Sequence, residues 1–322
     1  MSFDPATIAF SLGGIRLSGL APLIDGVVPD HAAPETGDDG VTWLLADGSR
    51  FEMRLSGREI RLGLSGFAGT LRLDSLGLRI GSAGNVRQYL RNGYMSWDGS
   101  YLVEPDTAME AAAADPNLLE GYAATALLPR GRDGAVILGF LRHDRYQSRF
   151  RFNFENGPLA IDVETLIDRK SFTDEVRTEP LILFAGDDTE QALARWARAV
   201  AEASPVPPRL PPRRVTGWCS WYNLYASLEP KVLLEHLDAA ARFREESKVP
   251  FDIFQIDDGF TPEMGDWFDF KPQFPQGIRP ILEAARDKGF TPGLWIAPFM
   301  VGNRSRLFAE HPDWVVRSRA TG

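Results

Sequence analysis

The chain has 322 residues, and its 35 basic against 44 acidic side chains give a formal charge of −9. An acidic chain without a basic block argues against nucleic acid or an anionic membrane as a partner. No apolar run approaches the roughly 18 residues that would span a bilayer, and the first residues lack the pattern of a secretory signal. The single cysteine, Cys219, excludes an internal disulfide framework. We therefore expect a cytoplasmic protein of about two domains.

The first 185 residues alternate short apolar stretches with turn residues, a pattern typical of antiparallel strands. Residues 46–48 (Ala-Asp-Gly) and 155–157 (Glu-Asn-Gly) are predicted to be hairpin turns. Many such strands over this length predict a β-sandwich domain.

Residues 186–212 are expected to connect this domain to the next. Asp187 and Asp188 precede a run of good helix formers and predict a helix that ends near Ala203. The proline-rich segment PVPPRLPPRR (205–214) follows, and it suits neither a regular helix nor a central strand, because proline lacks an amide donor. We interpret it as a stiff connector over the surface, and the alternative is a proline-rich recognition peptide.

After residue 213 the pattern alternates strands and helices. The predicted elements are strands at 215–221, 251–256 and 290–297 and helices at 229–246 and 278–288. This βαβαβ order predicts a parallel sheet covered by helices. The absence of glycine-rich dinucleotide and phosphate-loop motifs gives no sign of nucleotide chemistry, and we expect no cofactor.

Unusual residues follow each of these three strands, where parallel α/β folds gather their ligands. Trp221 and Trp295 stand near the ends of the first and third strands, and Asp257 and Asp258 follow the second. Indole faces beside clustered carboxylates are the chemistry of a carbohydrate site, because sugar hydroxyls donate to carboxylates. The alternative is a solvated turn that caps a nearby amide. A metal site is not favoured, since no further ligand has convincing spacing.

Packing is the expected role of one of two nearby tryptophans and of the cysteine between them. Trp218 and Trp221 lie three apart, so in a strand they would point to opposite faces, one into the core and one into the mouth. Cys219 between them has no histidine nearby in sequence and is interpreted as a small buried apolar side chain.

Six short motifs occur in order between residues 217 and 316. They are GWCSWYN (217–223), IDDGF (256–260), GDWF (265–268), KPQFPQG (271–277), KGFTPGLWIAPF (288–299) and EHPDWVV (310–316). This series resembles the melibiase-type α-galactosidases of glycoside hydrolase family 36. The segment RNGYMSW (91–97) is similar to a motif of the same family's N-terminal domain.

The resemblance implies an N-terminal β-supersandwich followed by a (β/α)8 TIM barrel, of which this sequence holds about three βα units. It implies that Asp257 and Asp258 bind galactose hydroxyls and that Trp221 and Trp295 border the sugar. Trp97 matches a tryptophan that the N-terminal domain lends to the same pocket. Asp266 and Trp267 lie in a motif near the substrate side.

The resemblance assigns no catalytic residue to this sequence. The family's enzymes are retaining glycosidases, and their nucleophile and acid/base aspartates follow the fourth and sixth barrel strands. Both positions would lie beyond Gly322, so we expect an N-terminal fragment that is inactive alone. Its third strand would present an uncovered edge, which is compatible with a homo-oligomer.

The partner implied by the resemblance is a galactoside or an oligosaccharide. The leading hypothesis is an enzyme that hydrolyses terminal α-linked galactose. Two alternatives stay open. One is a galactosyltransferase of the raffinose-synthase kind, and the other is a non-catalytic carbohydrate-binding protein.

Overall fold

The computed structural model describes residues 1–95, 97–154 and 158–317. Within these ranges the chain forms two compact units, residues 1–208 and residues 209–322. The first unit is rich in strands, and the second alternates strands and helices. No helix in the described ranges is both long and apolar enough to cross a membrane.

The strands of the first unit are β1 (Ser2–Asp4), β2 (Ala9–Leu12), β3 (Ile15–Ile24), β4 (Glu35–Gly37), β5 (Gly40–Leu44), β6 (Arg50–Ser56), β7 (Glu59–Ser65), β8 (Leu71–Gly84), β9 (Val86–Arg91), β10 (Tyr101–Val103), β11 (Glu120–Tyr122), β12 (Ala124–Pro129), β13 (Ala135–Phe140), β14 (Gln147–Asn153), β15 (Ala160–Phe172), β16 (Glu175–Arg177) and β17 (Leu181–Gly186). Its helices are α1 (Pro105–Ala114) and α2 (Thr189–Ala203), and a 3-10 turn spans Pro116–Leu119.

These strands form two antiparallel sheets. The first has the order β1-β2-β3-β8-β15-β14-β11. The second has the order β10-β9-β12-β13-β17-β7-β6-β5-β4, with β16 paired to β7. Side chains from both sheets, such as Leu17 and Leu78 of the first and Phe51 and Leu138 of the second, share one buried cluster. The two sheets therefore pack face to face, which confirms the predicted β-sandwich.

The predicted hairpin at residues 46–48 is confirmed. It joins β5 to β6, and the Gly48 amide donates to the Leu45 carbonyl over 3.0 Å. The second predicted hairpin turn, residues 155–157, lies outside the described residues.

Helix α2 begins as the sequence predicts and covers the outer face of the second sheet. The Asp188 carboxylate accepts from the Gln191 amide over 2.8 Å and so caps its first turn. Trp196 packs beside Gly139 and donates its indole N–H to the Phe140 carbonyl over 3.0 Å. A Cβ at Gly139 would lie 2.4 Å from the indole nitrogen, so the close approach of helix and strand requires glycine there. The cover buries both faces of the strand that carries Gly139.

The second unit contains β18 (Gly217–Cys219), α3 (Trp221–Leu224), α4 (Pro230–Ser247), β19 (Ile253–Ile256), α5 (Arg279–Asp287), β20 (Thr291–Leu294) and α6 (Arg306–Glu310), with a 3-10 turn at Pro312–Trp314. The three strands form a parallel sheet in the order β18-β19-β20. Side chains of α4, α5 and the sheet, among them Leu237, Phe254 and Ile281, form its buried core. The predicted βαβαβ order is confirmed.

One prediction for this unit is wrong. Trp218 and Trp221 do not lie in the same strand, because the strand ends at Cys219 and Ser220 takes a helical conformation. The carbonyl of Ser220 then accepts from the Leu224 amide, so Trp221 begins a single helical turn. Trp218 is a packing residue, and its ring stacks on Phe254 with centroids 4.5 Å apart.

Candidate functional site

The carboxyl ends of the three parallel strands meet at one edge of the sheet. The Ser220 amide, just after β18, donates to the Gln255 carbonyl of β19 over 3.1 Å. The Trp295 amide, just after β20, donates to the Ile256 carbonyl over 2.9 Å. The structure thus brings together the segments that carry Cys219, the Asp257–Asp258 pair and Trp295.

Asp257 is 9% exposed, and four hydrogen bonds hold it in place. Its Oδ2 accepts from the Cys219 thiol over 3.2 Å and from the Gln255 side-chain amide over 3.0 Å. Its Oδ1 accepts from the Asp258 amide over 2.9 Å, and its own amide donates to the Ser220 hydroxyl over 2.9 Å. Donors on both carboxylate oxygens fix the orientation of the Asp257 side chain.

The interpretation of Cys219 as an apolar packing residue is wrong. Its thiol is half-buried and donates to the Asp257 carboxylate. Burial raises the pKa of the Cys219 thiol, and the adjacent negatively charged Asp257 carboxylate, which accepts a hydrogen bond from the thiol, raises it further. The side chain is therefore a protonated donor at neutral pH.

Asp258 differs from its neighbour. It is only partly buried, and among the described residues its carboxylate has no hydrogen-bonding or ion-pair partner. The pair therefore consists of one oriented carboxylate and one whose acceptor positions face no protein donor in the described chain. Gly259 follows at φ +123°, and a Cβ there would lie 2.8 Å from Ala226 Cα, so this sharp turn requires glycine.

Two aromatic pairs occur in the segments that follow the strands. Trp295 is partly buried and packs edge to face on Trp267, with ring centroids 6.3 Å apart. Trp221 is partly buried and packs the same way on Tyr225, at 5.5 Å. Both tryptophans keep part of their surface open, as a side chain bordering a sugar must.

Asp266, in contrast, has a structural role. Its Oδ2 accepts from the Arg306 amide over 2.9 Å and its Oδ1 from the Leu307 amide over 3.1 Å. The carboxylate therefore satisfies amides at the start of α6, which no intrahelical carbonyl can reach. Its neighbour Trp267 contributes to the site through its contact with Trp295.

Gln255 is a site residue that sequence reasoning missed. It is a polar residue within the mostly apolar stretch Phe-Asp-Ile-Phe-Gln-Ile of the predicted strand 251–256. Residues i and i+2 of a strand share a face, so its position two before Asp257 could have marked it as a partner of that carboxylate.

In the first unit, Trp97 lies in the loop between β9 and β10 and is 83% exposed. It does not pack inside the sandwich. The preceding residue, Ser96, belongs to the motif but lies outside the described residues.

A buried arginine holds this loop. The Arg91 side chain is 2% exposed, and its guanidinium pairs with the Asp98 carboxylate and donates to the Gly99 carbonyl. Its Nε donates to the carbonyls of Asn117 and Glu120, each over 2.8 Å. The end of the loop and the distant segment that holds Asn117 and Glu120 are therefore tied to one side chain.

Asp98 extends this network across the loop. Its Oδ2 accepts from the Tyr94 amide over 2.8 Å. The Arg91 guanidinium and that amide both hold the pKa of Asp98 below its usual range. The carboxylate is therefore ionised at neutral pH and closes the loop from which Trp97 extends.

A cavity of about 550 Å³ on the first unit has a different character. It lies against β6, β7 and β16 and is lined by arginine–glutamate pairs such as Arg61–Glu59 and Arg177–Glu175. No aromatic side chain of the described residues lines it. Because its charges pair with each other and no ring could cover a sugar face, it is a poor carbohydrate site.

Comparison with known proteins agrees with this picture of the second unit. Residues 220–321 match the Melibiase family model. The chain is 28% identical over 104 residues to an α-galactosidase of Escherichia coli, covering 30% of this chain and 14% of that protein. It is 31% identical over 108 residues to α-galactosidase 2 of Pediococcus pentosaceus, again covering 30% and 14%. The alignments thus span about a seventh of these curated relatives.

Solved structures match over a longer stretch. The α-galactosidase TtGalA of Thermus thermophilus, solved with p-nitrophenyl α-D-galactopyranoside, is 27% identical with a TM-score of 0.57, covering 87% of this chain and 53% of that one. AgaA of Geobacillus stearothermophilus, at 12% identity and a TM-score of 0.58, shares the fold. The chain thus spans about half the length of these structures. Residues 220–321, which carry the aspartate pair, are therefore similar to the melibiase family, and the chain as a whole is similar to part of the α-galactosidases that it matches.

Proposed function

We propose that this chain is the N-terminal part of a retaining α-galactosidase that hydrolyses terminal α-linked galactose. The observation that carries the proposal is the buried, oriented Asp257 beside Asp258, whose carboxylate has no partner among the described residues, at a strand edge that also carries Trp295. Related proteins support the choice of sugar, since TtGalA was solved with p-nitrophenyl α-D-galactopyranoside and with stachyose.

We further propose that residues 213–322 are the first part of a (β/α)8 barrel, that residues 1–185 are the sandwich domain and that 186–212 connect them. Two features of the second unit support the barrel. Its strands are parallel and adjacent in chain order. Helices α4 and α5 also pack against each other, so they cover the same face of the sheet, as in a singly wound barrel.

In this proposal, Asp257, Asp258, Trp221, Trp295 and Trp97 bind the sugar and do not perform the bond cleavage. The family resemblance assigns the nucleophile and the acid/base to later barrel strands, and it assigns neither role to a residue in this sequence. A protein limited to residues 1–322 is therefore expected not to hydrolyse an aryl α-galactoside, because it lacks both groups.

The test is Asp258→Asn in the full-length protein, assayed with p-nitrophenyl α-D-galactopyranoside. Loss of a charge-assisted hydrogen bond should weaken transition-state binding by about 1.5–3 kcal/mol, which lowers kcat/KM roughly 10- to 150-fold. The matched control is Asp287→Asn, the same change at an exposed position at the end of α5.

Each outcome bears on a stated part of the proposal. An unchanged kcat/KM in Asp258→Asn would reject the sugar contact. Transfer of galactose to a sugar acceptor, in place of its release into water, would identify the galactosyltransferase alternative. Binding without turnover by the full-length protein would identify the non-catalytic one.

A further inference from the structure

We infer that Cys219 and Gln255 are positioning residues, which together fix the Asp257 carboxylate so that a single acceptor position on its Oδ1 faces the ligand. The identity of that ligand as a galactoside rests on the proposed function. The arrangement of the three side chains does not, so the two can be tested apart.

The pairing of two strands brings these side chains together. Cys219 and Gln255 are directly opposite in the parallel ladder of β18 and β19. The Gln255 side-chain amide lies 3.0 Å from Asp257 Oδ2 and 3.6 Å from the Cys219 sulfur. The thiol lies 3.2 Å from the same Oδ2. The three side chains therefore form a closed triangle of hydrogen bonds.

Counting the acceptor positions of the Asp257 carboxylate shows how many remain for a ligand. An ionised carboxylate offers about four lone-pair positions, two on each oxygen. The thiol and the Gln255 amide occupy both positions on Oδ2, and the Asp258 amide occupies one on Oδ1. No other donor within residues 1–95, 97–154 and 158–317 reaches this carboxylate, so one position on Oδ1 is left for a ligand hydroxyl. Asp257 thus accepts one hydroxyl in a fixed direction, whereas Asp258 supplies the adaptable acceptors.

The triangle needs the thiol in its protonated form. A thiolate would place a second negative charge about 3.2 Å from the carboxylate and remove a donor. Burial of Cys219 and the charge of Asp257 both raise the pKa of the thiol, so it stays protonated at neutral pH. The amide of Gln255 acts in the opposite direction, because its N–H donates to sulfur and stabilises a thiolate. Removing the Asp257 charge and removing the Gln255 donor should therefore shift the pKa of the thiol in opposite directions, and these shifts can be measured.

The first experiment measures how fast iodoacetamide alkylates Cys219 between pH 7 and pH 10. Cys219 is the only cysteine of the 322-residue chain, so the reaction reports on one site. Asp257→Asn removes the neighbouring charge, and alkylation at pH 8 should become faster, by about threefold or more. Gln255→Leu removes the donor to sulfur, and alkylation should become slower. Far-UV circular dichroism verifies that each variant is folded.

The matched control for this experiment is Asp258→Asn. It removes an adjacent carboxylate but keeps the backbone amide that donates to Asp257. Its alkylation profile should follow that of the unmodified chain. A folded Asp257→Asn chain that reacts like Asp258→Asn would overturn the inference, and so would a Gln255→Leu chain that reacts faster than the unmodified one.

The second experiment uses the full-length protein and an α-galactoside. Cys219→Ala should lower kcat/KM about 3- to 10-fold, and Cys219→Ser, which restores a donor of similar size, should recover most of the loss. If the Ala and Ser variants were both as active as the unmodified enzyme, the positioning role would be overturned. An unmodified full-length protein that does not act on the galactoside would instead reject the proposed function, and the alkylation result would still decide the inference.

Discussion

Arg91 in the first unit and Asp257 in the second are both buried charged side chains held by several hydrogen bonds, but their partners are distributed differently. The acceptors of Arg91 come from separate segments, at Asp98, Gly99, Asn117 and Glu120. The donors to Asp257 come from the strand ends next to it. The loop in the sandwich therefore depends on one side chain, whereas the Asp257 carboxylate at the strand ends is held by several separate donors.

The largest effect is expected at Arg91. Arg91→Met would leave the Asp98 carboxylate and three backbone carbonyls without their shared donor. Each buried acceptor left without a donor costs about 1–3 kcal/mol, so the loss of this shared donor should destabilise the chain by about 3–5 kcal/mol. Urea unfolding of the 322-residue chain, followed by circular dichroism, would measure the loss.

The matched control is Arg87→Met, since Arg87 is an exposed arginine of the same strand. It should change the free energy of unfolding by about 0.5 kcal/mol or less. If the two variants were equally stable, the loop would not depend on Arg91, and the contrast with the strand-end site would fail.

A smaller effect is expected at Ser220. Ser220→Ala removes the acceptor of the Asp257 amide and leaves that buried N–H unpaired. The loss should be about 1–3 kcal/mol, below that at Arg91, because the other bonds to Asp257 remain. The same urea titration measures it, with Ser227→Ala as the exposed control. A loss as large as that of Arg91→Met would show that the strand-end site also depends on one group.

The smallest effect on stability is expected at Trp97. Because its side chain is 83% exposed, Trp97→Ala should change the free energy of unfolding by about 0.5 kcal/mol or less. In the full-length protein it should nevertheless weaken galactoside binding, measured as a raised KM. A large drop in melting temperature with unchanged KM would mean that Trp97 serves the fold and not the ligand.

Sequence reasoning succeeded where the structure follows from neighbouring residues. The Asp188 cap, the hairpin at residues 46–48 and the parallel order of β18 to β20 each have a local or periodic signature. It failed at Trp221, because a change of backbone conformation at Ser220 ends the strand without a change in the apolar pattern.

The contacts around the candidate site were harder to predict from the sequence. Cys219 and Gln255 meet because two strands pair in a particular register, and the sequence of either strand alone does not determine that register. The partners of Arg91 are carbonyl oxygens, which every residue carries, so the side-chain sequence gives no sign of them. The aspartate pair itself was found from its residue types, and the groups that orient it were not.

The covering of the second sheet by α2 has a practical consequence for dividing the chain. A protein that ended at Gly186, after the last strand of the sandwich, would expose an apolar surface that includes Ala126, Ile137 and Phe184. Exposed patches of this kind promote aggregation. A separately expressed sandwich domain should therefore extend through Ala203, so that it includes helix α2, whose Trp196 and neighbouring side chains cover the sheet.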